Sequence, residues 1–327
     1  MRGVKWQFDK SHGGKLAEIT ATAVLLMASS GALTPAQQKG QKTFSTPEEA
    51  IQALFTAAQN NDEKVLLELF GPDGKQIVSS GDETEDAQNR ANFAKRYQEM
   101  NRLVKEPDGT ITLYIGPHNW PYPIPLRNKG SAWYFDTDAG RREILFRRIG
   151  WNEESAIRIL QELAAAEREY YAQGHKEYAL KIFSDEGKKD GLYWKVAEGE
   201  PQSPIGPLVA WAVADEYAKS RGAEAVPYRG YYFHLLTSQG KDSSGGAKSY
   251  IVNSKMTEGF AFVAYPAEYQ SSGVMTFLVG ADGVVHQNNL GKKTESIAKA
   301  MKEYNPGSGW QKVGEEQQGA AGSKPSE

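Results

Sequence analysis

The chain has 327 residues, with 38 basic and 41 acidic side chains and a net charge of −3, which argues against a partner bound by neutralising nucleic-acid phosphates. Apolar residues are 39% and aromatics 11%, enough to bury cores in about two domains. Cysteine is absent, which removes disulfides, thiolate metal sites, cysteine nucleophiles and a lipidated N-terminal cysteine, while leaving export open.

In chain order, the first segment has the layout of an export signal. Arg2, Lys5, Lys10 and Lys15 supply positive charge, ITATAVLLMA at 19–28 an apolar run, and Ser30-Gly31-Ala32 a small-residue cleavage pattern. The apolar run is about 10 residues, too short to span a bilayer. Residues 1–36 are therefore expected to be a signal peptide, followed by a polar linker at 37–43. The mature chain is expected to lack a transmembrane segment and to be periplasmic or secreted.

A first α+β domain is predicted over 44–150. Ser45-Thr46-Pro47-Glu48-Glu49 combines a capping hydroxyl, a first-turn proline and acids at the positive end of the helix dipole. Ala50, Ile51, Leu54, Phe55 and Ala58 follow at helical spacing, and Asn60-Asn61-Asp62 breaks them. A second helix is predicted over 65–70, stopped by Gly71-Pro72, and a third over 82–103 with Phe93, Tyr97 and Met100 inward. Strands are predicted at 110–116, 122–127 and 131–136, the middle one irregular because Pro123 and Pro125 cannot donate to a ladder. This helices-then-sheet order resembles the cystatin-like or NTF2-like layout.

A helix over 139–149, ended by Gly150, is predicted to precede a second domain at 151–313. There Asn152 would cap a helix of about 20 residues with Ala156, Ile159, Leu160, Leu163, Ala166 and Tyr170 on one stripe. Shorter helices are predicted at 178–183 and 208–220. Strands are predicted at 231–236, 248–253, 259–265, 274–280 and 284–287, with Asp282-Gly283 as a hairpin turn. The tail at 314–327 is small, polar and aperiodic, so disorder is expected.

The stretches FSTPEEAIQALFTAAQNND, AWYFDTDAGRREILFRRIGWNEESAI, SDEGKKDGLYW, SPIGPLVAWAV, YRGYYFHLLTSQG, GGAKSY, GFAFVAYPAEYQSSGVMTFLVGADGVV and NLGKKT resemble DUF2950, a bacterial family of uncharacterised exported proteins. That resemblance implies no activity, cofactor or catalytic residue. The NE-x-SAI helix, the GYYF strand and the FLV-x-x-DG hairpin also resemble the globular head of type IV pilins and pseudopilins. A prepilin joins its cleavage site directly to the filament helix. Here the signal-like segment lies about 120 residues upstream, so a head-like fold is implied and filament assembly is not.

No nucleophile elbow, P-loop, Rossmann glycine pattern or paired metal-binding histidines occur in the sequence. Asp136-Thr137-Asp138 starts like a calcium loop, but position 12 would be Arg147, so strand exit and helix capping is the better reading. His118, His175, His234 and His286 read as ordinary polar positions, and Ser243-Ser244-Gly245-Gly246 as a turn. No catalytic, cofactor-binding or metal residue is predicted, and no cofactor. The remaining hint is aromatic: Trp133, Tyr134, Tyr193, Trp194, Tyr231, Tyr232, Tyr265 and Tyr269 offer apolar faces with polar tips, suited to a carbohydrate or peptide surface. The expectation is an exported α+β envelope protein that binds an envelope protein or polysaccharide without catalysis. The alternatives are a hydrolase acting on envelope polymers and an accessory partner of a pilin-like secretion system.

Overall fold

The computed structural model describes residues 37–196, 202–213 and 226–315. The predicted signal peptide, the second half of the helix expected at 208–220 and nearly all of the predicted tail lie outside the described residues. The chain divides into two compact units, Met1–Arg147 and Arg148–Glu327.

In the first unit, helix α1 (Pro47–Gln59) begins where Thr46 accepts a hydrogen bond from the Glu49 amide, and Pro47 occupies a first-turn position whose missing N–H leaves nothing unsatisfied. Asp62 caps α2 (Glu63–Phe70) through the Val65 amide, and Gly71 at φ 73° ends it. A 3-10 turn (Pro72–Gly74) and the short helix α3 (Lys75–Val78) follow, neither of them predicted. Helix α4 (Glu83–Glu99), capped by Asp82, stops short of the expected residue 103. Met100 is extended and half-buried, and Asn101–Lys105 forms strand β1 against β2 (Ile111–Ile115). The Pro107-Asp108-Gly109 turn reverses the chain, and pairing of Leu103 with Leu113 overrides the local helical pattern.

Strands β3 (Trp120–Pro121), β4 (Leu126–Lys129) and β5 (Ala132–Phe135) complete a sheet ordered β1-β2-β4-β5, with β3 on β2. The prolines keep 122–125 out of the strands, so 122–127 is not one strand. Asn128 and Lys129 pair with Trp133 and Ala132, so the reversal between β4 and β5 tightens onto Gly130 at φ 66°. Ile51, Leu54, Leu69, Ile115, Ile124 and Phe135 are central in the core between helices and sheet.

Helix α5 (Thr137–Tyr170) corrects the expected break at Gly150, since it runs 34 residues without interruption. A helical glycine costs about 1 kcal/mol, less than the packing of the flanking residues returns. Asn152 caps nothing; from inside the helix its Nδ2 donates to Ser272 O at 2.8 Å. Asp136 is the residue at the helix start, with Oδ1 accepting from the Ala139 amide and Oδ2 3.0 Å from Arg127 Nε.

In the second unit the predicted stripe of Ala156, Ile159, Leu160, Leu163, Ala166 and Tyr170 is buried. The helix ends in a π turn (Tyr171–His175), where Gly174 at φ 102° and Lys176 at φ 55° redirect the chain. The helix expected at 178–183 is instead an extended strap. Its donors go elsewhere: Tyr178 N to Met256 O at 2.7 Å and Ala179 N to Glu167 Oε2 at 2.8 Å. Of the helix predicted at 208–220, α6 covers Pro207–Ala212.

Strands β6 (Tyr231–Leu236), β11 (Ala261–Pro266), β12 (Thr276–Gly280), β13 (Val285–Asn288) and β15 (Gln311–Lys312) form an antiparallel sheet ordered β15-β13-β12-β11-β6. Asp282-Gly283 makes the β12–β13 turn, with Gly283 at φ 75°. The strand expected at 248–253 splits into β8 (Lys248–Ser249) and β9 (Ile251–Val252), the latter pairing with β10 (Lys255–Met256). Helix α7 (Thr294–Ala300) and strand β14 (Glu303–Tyr304), which were not predicted, bring the chain to β7 (Ser238–Gln239), forming a small sheet ordered β14-β7-β8. The architecture is α+β in both units.

Candidate functional site

Successive strand residues point to opposite faces. Cross-strand partners Tyr232–Tyr265, His234–Val263, Val263–Leu278 and Leu278–His286 therefore place these side chains on one face of the five-stranded sheet. Tyr265 meets the rings of Tyr232 and His234 at centroid distances of 5.6 and 5.9 Å. His234 Nε2 lies 3.2 Å from Met301 O, and His286 Nδ1 lies 3.3 Å from the Tyr304 hydroxyl. Both histidines thus meet the C-terminal segment that passes over this face. Burial raises the Tyr304 pKa, with the nearby Asp282 charge adding to it, so the phenol stays protonated.

A groove of about 390 Å³ lies beside that segment, lined by Leu278, Ala300, Met301, Lys302, Glu303, Asn305 and Trp310. Its wall is fixed by hydrogen bonds. Asn305 accepts from the Asp242 amide at 2.9 Å and donates to Asp242 Oδ2 at 3.0 Å. Ser243 Oγ donates to Tyr304 O at 2.6 Å, and Gln239 Nε2 donates to Ser244 O and Gly246 O. The Ser243–Gly246 turn is thus a scaffold for the wall, and the Ser243 proton is committed to a carbonyl. Lys302 and Glu303 are exposed at the rim, while Leu278 is buried and Trp310 half-buried. An indole and an apolar floor beside charged rim groups can hold a ligand with both apolar and hydroxyl surface.

The predicted aromatics are distributed over both units. In the first, Trp133 is half-buried and exchanges backbone hydrogen bonds with Phe44, and Tyr134 is buried. In the second, Tyr193 is half-buried edge-on to Phe183, Trp194 is buried under Lys189, and Tyr231 is buried with its hydroxyl donating to Met275 O. Tyr232 is half-buried and Tyr265 buried on the face just described, and Tyr269 is half-buried at a bridge to Gly273. None of the eight lines the groove. Trp310 does, and sequence reasoning passed it over. The one signal was a tryptophan in a turn-rich NPGSGW segment.

Among the described residues of this unit, two carboxyls are buried. Glu153 Oε1 accepts from the amides of Val274 at 2.8 Å and Met275 at 3.0 Å. Glu167 Oε2 accepts from the Ala179 amide, and its Oε1 has no partner among the described residues. Burial raises the pKa of both, against the pull of those amides, and pushes Glu167 up to about 8. No cluster of three or more His, Asp or Glu side chains among the described residues could hold a metal ion. No described helix is long and apolar enough to cross a membrane.

These features define an α+β protein with a walled surface groove in its second unit. The chain belongs to the family described as a protein of unknown function, DUF2950, whose model matches residues 41–313. No curated protein and no solved structure matches it.

Proposed function

We propose that the protein is an exported envelope component that binds its ligand without transforming it, and that the Trp310 groove takes a saccharide-like segment of an envelope polymer. The observation that carries this reading is the groove itself, with Trp310 and Leu278 as apolar surface and Lys302 and Glu303 as charged rim. Sugar rings present a C–H face that packs on an indole and hydroxyls that reach charged groups. The groove volume lies within the range of ligand sites, about 300–1,000 Å³. A glycosidase would need two carboxyls flanking one bond, about 5–10 Å apart, and the lining contributes only Glu303.

Export rests on the positively charged, apolar and small-residue order of the first 36 residues. Mass spectrometry of the native protein should find cleavage between about residues 28 and 36 in a periplasmic or secreted fraction. Intact Met1 in the cytoplasm would overturn export. For the groove, soluble envelope glycan fragments should quench or shift tryptophan fluorescence of the wild type and not of Trp310→Ala. No response from the wild type would remove the saccharide reading, and release of new reducing ends would replace binding with hydrolysis.

A further inference from the structure

Glu167 lies near the end of α5 with 1% of its surface exposed. Its Oε2 accepts from the Ala179 amide, which fastens the strap that follows the π turn back onto the helix. The residue borders a cavity lined also by Ala179, Leu180, Ile182, Val213, Phe233 and Phe262. That cavity has about 20 Å³ for the centre of a water molecule, room for one.

The charged and titratable groups around it are engaged elsewhere. Lys181 also borders the cavity, but its ammonium lies 2.7 Å from Asp185 and 2.9 Å from Asp190. His234 borders it from β6, yet strand alternation turns its ring to the opposite face, where it meets Met301 O. Arg168 donates to Ala281 O, and Glu177 pairs with Lys255 at 3.3 Å. Tyr170 and Tyr178 feel the Glu167 charge, which adds to burial in raising their own pKa values. No cation among the described residues forms an ion pair with Glu167, and burial holds its proton to about pH 8.

We propose that Glu167 is a proton-controlled latch: its neutral carboxyl holds the 176–194 strap on helix α5, and its ionised form releases the strap. An ionised carboxylate has about four lone-pair sites to satisfy. The Ala179 amide satisfies one and the cavity admits at most one water, so the charge is solvated only when the strap moves and bulk water enters. The released proton goes to solvent. Gly174 at φ 102° and Lys176 at φ 55° mark where the strap pivots, and Tyr178 N to Met256 O, Ile205 N to Leu192 O, the Tyr170 hydroxyl to Lys189 O and the Glu177–Lys255 pair are attachments that must loosen with it. Within the strap, Tyr193 N to Ile182 O and Ser184 N to Tyr193 O let it move as one piece.

Deuterium exchange of the full chain tests this, comparing wild type with Glu167→Gln from pH 6 to pH 9. The same peptides are read in both proteins, so intrinsic exchange rates cancel. The wild-type to variant ratio for peptides within 176–194, set to one at pH 6, should rise about tenfold per pH unit and level off near pH 8, the upper end of the window between the 4.5 of an exposed carboxyl and the Glu167 midpoint. Peptides of β11 should keep a ratio near one throughout. A strap ratio that stays at one overturns the latch, and so does a parallel rise in β11, which would mean global unfolding. Should Glu167→Gln not fold, the Glu167 side-chain carboxyl carbon followed by NMR in the wild type decides the matter. Titration near pH 8 supports the latch, and titration near the ordinary 4.5 overturns it.

Discussion

Glu153 and Glu167 sit on the same helix, 8% and 1% exposed, and burial raises the pKa of both. They differ in the donors they meet. Glu153 receives two backbone amides from the 274–275 segment, beside a Tyr231 hydroxyl whose proton goes to Met275 O. A Cβ at Gly273 would collide with Tyr231, so the loop reaches this acid only because that position is glycine. Glu167 receives one amide and leaves Oε1 buried without a partner among the described residues. Burial penalises charge at both sites, and the number of fixed donors decides how much of the penalty is recovered. Glu153 acts as an anchor for a loop, and Glu167 as a holder of a proton.

The largest effect should come from breaking the anchor. Glu153→Leu leaves the Val274 and Met275 amides buried without an acceptor, at roughly 1–3 kcal/mol each. A total loss of about 2–6 kcal/mol is expected in denaturant melts. The matching Glu167→Leu removes one acceptor but also an orphan oxygen, and should cost less. Equal losses would show that donor count does not separate the two acids.

Leu163, fully buried on the same helix, calibrates packing alone. Leu163→Ala should lose roughly 2–5 kcal/mol through the cavity it leaves. The loss should be the same at pH 6 and pH 9, since nothing titrates with it. A loss below about 0.5 kcal/mol would mean that the buried stripe does not hold the second unit together.

The pH dependence of Glu167 comes next. The folded protein keeps its proton to about pH 8, whereas an unfolded chain releases it near 4.5. Its contribution to stability is therefore complete below about pH 4.5 and is lost progressively as pH rises to about 8. At pH 7 the loss is at most about 3.5 kcal/mol, from 2.5 units at about 1.4 kcal/mol each. Glu167→Gln should flatten this slope between pH 5 and pH 8 in thermal or denaturant melts. A wild-type slope that survives unchanged in the variant would assign the pH dependence to other groups.

Neither acid was legible in the sequence. The expected break at Gly150 and cap at Asn152 would put Glu153 in a solvated first turn. Nothing local reveals that the helix runs through Gly150 and that the 274–275 amides arrive from about 120 residues away. The elements with strong local chemistry were legible: the Thr46-Pro47 helix start, the buried stripe of α5, and the Asp282-Gly283 hairpin. The 178–183 strap is extended rather than helical because Lys181 O and Ile182 O accept from the Leu192 and Tyr193 amides and Ser184 N donates to Tyr193 O, pairings that local spacing does not reveal. Met100 to Leu103 failed the same way, with a strand partner overriding helical spacing. The groove was invisible for a related reason. Its walls join Leu278 to residues 300–310 through pairings of β14 with β7 that no short-range pattern encodes.

The smallest expected effect on stability separates the groove from both buried acids. Trp310 is half-buried, and its amide donates to Gly307 O within its own turn. Trp310→Ala removes indole surface from a wall whose shape is held by Asn305, Asp242 and Ser243, none of which it supports by a side-chain hydrogen bond. A change of no more than about 1 kcal/mol is expected in denaturant melts. Glycan affinity should fall by about tenfold or more, the loss of roughly 1.4 kcal/mol of stacking and desolvation at one aromatic contact. A stability loss comparable to that of Leu163→Ala would place Trp310 in the core rather than on a binding wall. Unchanged stability with unchanged glycan affinity would leave the groove intact as a shape and without a role in binding.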